Sequence, residues 1–211
     1  EELWNSTVET LQMLGASALF TLIIGLPLGI LLFLASRSSL TLMKAIYIVL
    51  SFIVNILRSV PFIILIVALI PFTRSLVGTS TGVLGTIPPL VIGAAPFFAR
   101  LVETSLREVD KGVIEAAQAM GASTGQIIRR VLLREALPGL LAALTITVVT
   151  LVSYTAMSGM IGGGGLGTLA INYGYYRYET AVMIVAVVLM VVLVQLLQMA
   201  GDRLVRHYTR K

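Results

Sequence analysis

Apolar residues dominate this chain in long unbroken runs separated by short polar segments. Five runs approach the roughly 20 residues that an α-helix needs to cross a bilayer at about 1.5 Å per residue. They are about 13–35, 45–72, 83–99, 140–157 and 181–200. The second is long and interrupted by Arg58 and Pro61, and the third carries Pro88, Pro89 and Pro96, so its start is ambiguous. The pattern predicts an all-α polytopic membrane protein with five transmembrane helices in a single domain over 1–211. No 20–50-residue period repeats, and no low-complexity linker divides it.

The segment from about 100 to 137 has a different pattern. It mixes charges with helical periodicity, and it is too long for a simple turn. Asp110 is placed to cap a short helix over 111–120, with Gly121 as its stop. Ser123 and Gln126 have capping-box spacing for a second helix over 124–137. That helix would carry Ile127, Ile128, Val131 and Leu132 along one side and Arg129, Arg130 and Arg134 elsewhere.

Composition reinforces the membrane assignment. The 211 residues are 57% hydrophobic and 12% charged, against about 25% charged in soluble domains, and the mean hydropathy is +0.98. Lys and Arg alternate across the runs: twelve fall on one side and two on the other, with Arg58 inside a span. The positive-inside rule puts the twelve in the cytoplasm, the N-terminus outside and the C-terminus inside. Arg203, Arg206, Arg210 and Lys211 are expected at anionic lipid headgroups, and the run Tyr173, Tyr175, Tyr176 and Tyr178 forms an interfacial belt. The start Glu1-Glu2-Leu3-Trp4 lacks the basic character of a signal peptide. The basic segments read as topology signals, so no nucleic-acid partner is expected.

No catalytic set emerges. There is no cysteine, and the one histidine, His207, lies in the basic tail. Thiolate and imidazole metal sites are thereby excluded, and a serine–histidine hydrolase has no histidine near a span centre. No acidic residue falls in the middle of a span, which argues against a proton-coupled carrier and an intramembrane aspartic protease. The run Gly162-Gly163-Gly164-Gly165-Leu166-Gly167 lacks the Lys and Ser/Thr that complete a phosphate loop.

Several residues are candidates for a transport pathway. Arg58 is costly within a span unless paired or hydrated; it either lines a pathway near a substrate carboxylate, pairs with carbonyls freed by Pro61, or snorkels toward an interface. Pro61 would bend the second span. Met157 and Met160 border the glycine run, and flexible thioethers suit an external gate, though lipid-facing or core packing accounts for either one alone more readily; Tyr154 adds a polar atom on the same helix. Gly162, Gly163, Gly164, Gly165 and Gly167 form either a flexible external loop or a tight packing contact.

Within the 100–137 segment, Glu115-Ala116-Ala117 followed by Gly121 resembles the EAA loop of ABC importer permeases. That family's pattern is E-A-A, three residues, G, nine residues and I-x-L-P. Val131 and Leu133 occupy the isoleucine and leucine positions, Arg134 departs from the proline, and Pro138 follows four residues later. The stretches 58–64, 92–98, 135–140, 164–167 and 200–203 extend the resemblance over almost the whole chain and bring it nearest to methionine importer permeases. Osmoprotectant and phosphonate permeases share the glycine-rich stretch.

The resemblance implies a type I ABC importer permease fold and alternating access in a bacterial inner membrane. Glu115, Ala116, Ala117, Gln118, Met120, Gly121 and Ala122 would dock a cytoplasmic ATPase. The implied partners are two ATPase subunits, a second permease copy and an extracytoplasmic substrate-binding protein. ATP and Mg would sit on the ATPase, with no cofactor on this chain, which would not itself be an enzyme. The rival readings are a secondary transporter and a structural subunit of a membrane complex.

Overall fold

The computed structural model describes residues 1–209; Arg210 and Lys211 of the basic tail lie outside the described residues. The apolar runs become helices, and among the described residues every regular element is helical. α1 spans Glu2–Arg37, and α2 spans Thr41–Ser59. Two short helices follow, α3 at Phe62–Ala68 and α4 at Ile70–Val77, and then α5 at Gly82–Arg107. The loop contributes α6 at Lys111–Ala119, α7 at Thr124–Gln126, a π-helical turn at Ile127–Leu132 and α8 at Leu133–Glu135. α9 covers Leu137–Ser158, and α10 covers Gly165–Leu169. A π-helical segment at Ala170–Tyr176 leads to α11, Thr180–Thr209.

Five helices among the described residues are long and apolar enough to cross a membrane: α1, α2, α5, α9 and α11. The second apolar run is where sequence and structure part. It is not one bent span. Val60 is extended (φ −78°, ψ 124°), and α3 starts afresh after Pro61. Pro61 has no N–H to answer the Leu57 carbonyl, and its ring disfavours helical geometry at Val60. The chain therefore breaks at 60–61 instead of kinking.

α5 is the central helix. Pro88, Pro89 and Pro96 are all inside it and all buried; neighbouring helices make such residues tolerable within a membrane. It lies closest to α1, where Gly25 and Gly29 permit the approach. A Cβ on Gly25 would stand 2.7 Å from Phe98 Cδ1, and one on Gly29 would stand 2.5 Å from the Val102 Cβ. Small residues at such crossings let backbones meet in lipid, where apolar burial alone gives no driving force. α2 and α11 bury little of their surface within the chain.

The two ends of the bundle differ. At one end the start of α1, the 78–82 turn and the 159–179 segment join: the Gly82 N–H donates to the Gly162 carbonyl at 2.9 Å, and Tyr173 Oη donates to Glu2 Oε1 at 2.8 Å. At the other, Phe33 packs in one cluster with Val109, Ile114, Ala117, Ile127, Leu132 and Ala136. That cluster is the base on which the loop helices stand.

Candidate functional site

α6 is built by local capping on both sides. Asp110 Oδ1 accepts from the Gly112 amide at 2.6 Å. At the far end Ala122 N–H donates to the Ala117 carbonyl at 3.1 Å, and Gly121 N–H donates to the Gln118 carbonyl at 2.9 Å. Those two bonds form a Schellman closure, which places Gly121 in the left-handed region at φ +79°. A Cβ there would find open space, so the backbone conformation, not crowding, selects glycine. Both bonds of the Ser123–Gln126 capping box then restart the helix.

Exposure divides the docking candidates. Glu115, Ala116, Gln118, Ala119, Met120 and Gly121 face outward, Met120 at 82%. Ala117 does not: it is buried beside Ile114, and Ala122 is half-buried. A small residue at 117 lets α6 sit against the π-helical turn and leaves no surface for a partner. Ala117 is thus a seating residue, a correction to its expected place on the contact face. Ile127 and Leu132 are buried, and Arg129, Arg130 and Arg134 are exposed, as the periodicity predicts. Arg134 lies in α8, and Pro138 stands in the first turn of α9.

Between α2 and the last turns of α5 stands a charge cluster that sequence reasoning missed. Glu103 on α5 is 2% exposed, and among the described residues it is the one buried charged side chain. Arg100 Nη1 donates to its Oε2 at 2.6 Å, and Arg107 Nη2 donates to Oε1 at 2.7 Å. Arg100 also donates to Ser51 Oγ at 2.8 Å and Asn55 Oδ1 at 3.0 Å, both on α2. Tyr47 Oη, one helical turn nearer the start of α2, donates to Glu103 Oε1 at 3.3 Å. The spacing Arg100-x-x-Glu103-x-x-x-Arg107 was readable as i, i+3 and i, i+4 partners; its burial was not.

Of the pathway candidates, Arg58 and Tyr154 line one cavity of about 260 Å³, with Leu57, Val60, Phe62, Leu65, Gly93 and Phe97. The Tyr154 and Phe62 rings lie parallel, their centroids 4.1 Å apart, and the Arg58 guanidinium is 6.0 Å from the Phe97 centroid. Pro61 is exposed beside this cavity without lining it. Met157 and Met160 are elsewhere, 42% and 63% exposed on the surface of the chain.

The glycine run is packed, which favours the second of its two readings, a tight packing contact. Gly163, Gly165, Leu166 and Gly167 are buried. Gly165 N–H donates to Glu9 Oε2 at 2.7 Å, Leu166 N–H donates to Thr10 Oγ1 at 2.9 Å, and Thr86 Oγ1 donates to the Gly163 carbonyl at 3.2 Å. A Cβ on Gly167 would meet the Ala156 carbonyl at 2.5 Å. The glycines admit α1, α5 and α9 to backbone contact. Nearby, the carboxylate of Glu2 raises the pKa of Tyr173, first through the hydrogen bond it accepts.

Comparison with known proteins places these features in context. Residues 25–210 match the model of the family described as binding-protein-dependent transport system inner membrane component. The D-methionine transport system permease protein MetI of Escherichia coli K12 is 54% identical over 140 residues, 66% of this chain and 64% of that protein. The matched region thus spans just under two thirds of that relative's length. The methionine import system permease protein MetP of Bacillus subtilis is 52% identical over 146 residues, 69% of this chain and 66% of the relative. Among solved structures, a chain of the MetNI methionine ABC transporter in an inward-facing conformation superposes with a TM-score of 0.94 at 52% identity. That match covers 98% of this chain and 96% of the other.

Proposed function

Because the chain belongs to the family of binding-protein-dependent transport system inner membrane components, we propose that it is the permease subunit of an ATP-driven importer and that its substrate is methionine. The observation that carries this reading is the geometry of α6. It is a nine-residue helix closed by Asp110 and Gly121, seated through Ile114 and Ala117, with Glu115, Ala116, Gln118 and Met120 directed outward. A short capped knob that presents a carboxylate, an amide and an exposed thioether suits a cleft on a protein partner. The relatives' names supply the substrate.

In this reading two cytoplasmic ATPase subunits hold ATP and Mg and bind α6 differently in two states; that differential binding drives alternating access. A second copy of the permease completes the pathway, consistent with the large exposed faces of α2 and α11. An extracytoplasmic binding protein delivers substrate to the end formed by the glycine run and the 78–82 turn. The protein resides in a bacterial inner membrane, with the α6 end and the C-terminus cytoplasmic and the N-terminus outside. The chain itself catalyses no reaction. Met157 and Met160, exposed on one protomer, form the external gate where two copies meet. Glu103 is held by two guanidinium groups, which suits a structural pair better than the lone titratable acid of a proton-coupled carrier.

The test is to purify the chain from its native membrane and reconstitute it with the proteins that accompany it. The expected result is a co-purifying ATPase and methionine uptake that requires ATP. Absence of an ATPase, or uptake that follows an ion gradient without ATP, overturns the reading.

A further inference from the structure

We propose that the cavity beside Arg58 is a transit site that binds an α-amino acid within the membrane, its carboxylate on Arg58 and its side chain on the aromatic wall. This rests on the importer reading above and specifies where in the permease the substrate is held.

The position of the cavity carries the first part of the case. Gly93 and Phe97 line it from the middle of α5, a helix of 26 residues. Arg58 itself stands 13 residues past Ala45, where the second apolar run begins, about 20 Å along α2 at about 1.5 Å per residue, well inside a bilayer core about 30 Å thick. A guanidinium at that depth is costly unless paired, and intramembrane charges mark substrate and ion routes by default. Among the described residues Arg58 has no ion-pair or hydrogen-bond partner, in contrast to Arg100 and Arg107, which share Glu103. Its nearby aromatic ring, Phe97, at 6.0 Å to the centroid, is at the outer limit of a cation–π contact.

Chemistry selects the ligand. The lining has one cation and no acidic side chain, so it suits an anionic group, and a guanidinium fork matches a carboxylate in two-point geometry. The same lining offers a place for an ammonium group. α2 ends at Ser59, and the chain break at Pro61 leaves the carbonyls of its last turn without their helical N–H partners. The C-terminal end of a helix favours positive charge. Arg58 and the α2 terminus thus present opposite charges side by side, the signature required by a zwitterion. The remaining walls are Leu57, Leu65, Phe97 and the stacked Phe62–Tyr154 pair. They suit an apolar or thioether side chain, since sulfur gains from contact with ring edges. The volume of about 260 Å³ is just below the range of about 300–1,000 Å³ typical of small-molecule pockets, which fits one small amino acid.

The experiment uses photo-methionine, the diazirine analogue of methionine, carried by the binding protein into vesicles containing the whole transporter. Irradiation during ATP turnover is followed by peptide mapping of the adducts. Adducts are expected within 57–65, within 93–97 or on Tyr154. Arg58→Gln is expected to lower their yield by about ten-fold or more, the scale of a lost charge-assisted hydrogen bond, and Arg58→Lys to restore part of it. ATP-dependent uptake with adducts only elsewhere, or an Arg58→Gln yield equal to wild type, overturns the transit site alone. Should the variant fail to assemble with the ATPase, the wild-type adduct map decides. Wild-type vesicles without ATP-dependent uptake overturn the importer reading, and the transit site with it.

Discussion

Glu9 Oε2 accepts a hydrogen bond at 2.7 Å from the backbone amide of Gly165, 156 residues further along the chain. The adjacent Thr10 Oγ1 takes the Leu166 amide. One turn of α1 thereby satisfies two backbone donors at the start of α10. These bonds close the end of the bundle that the importer reading places outside the membrane. Glu9→Ala would leave the Gly165 amide without that acceptor, at about 1–3 kcal/mol if it stays dry. The expected outcome is a lower apparent melting temperature of the purified protein in detergent and faster hydrogen exchange at Gly165 and Leu166.

Gly165→Ala should be more damaging than Glu9→Ala. The added Cβ would stand 2.5 Å from Thr10 Oγ1 and 2.7 Å from Met13 Cε, at a φ of +71°. Backbone strain of about 1–3 kcal/mol would add to the displacement of both side chains. Comparing the melting temperatures of the two variants checks the order.

Glu103 ties α2 to α5 at the end where α5 runs into α6. Replacing it with alanine removes both ion pairs and leaves Arg100, itself only 19% exposed, without its carboxylate. Breaking one side of a buried pair costs about 3–5 kcal/mol. The expected result is a marked loss of thermal stability. The surface-directed Arg129→Ala, by contrast, should change it by less than about 0.5 kcal/mol.

Gly121→Val tests the sharp exit from α6. Nothing crowds the site, so the cost is the left-handed backbone, which a β-branched residue adopts poorly. The variant should insert normally but lose ATP-driven uptake. Gly121→Asn, whose side chain tolerates this region, should retain more of it. Undiminished uptake by Gly121→Val would remove the case for α6 as the coupling element.

How far the chain could be read before its structure was seen varies from place to place. The spans were legible because bilayer thickness demands length and apolarity, and both are local properties. The ends of α6 were legible for the same reason: Asp110, Gly121 and the Ser123–Gln126 pair act within a few residues of themselves. The break at Val60 and Pro61 was only half visible. A proline announces a perturbation, but whether the helix bends or restarts depends on what α5 and α9 offer across the gap. Ala117 was assigned the wrong face because alanine has no polar character to orient it. The glycine run in isolation suited a flexible loop or a packing contact; the partners that pack it, Glu9, Thr10 and Thr86, lie far away in sequence. Glu103 looked like an ordinary loop-proximal acid until α2 was seen packed against it.

The chain contains no cysteine, so Met120→Cys gives a single reporter at the exposed C-cap of α6. Its rate of modification by a membrane-impermeant maleimide can be measured on the permease alone and on the permease assembled with its ATPase. The account predicts fast labelling alone and strong protection in the complex, with Trp4→Cys at the opposite end labelled equally in both. Equal labelling of Met120→Cys in the two states, with the ATPase demonstrably bound, would contradict the assignment of α6 as the docking helix.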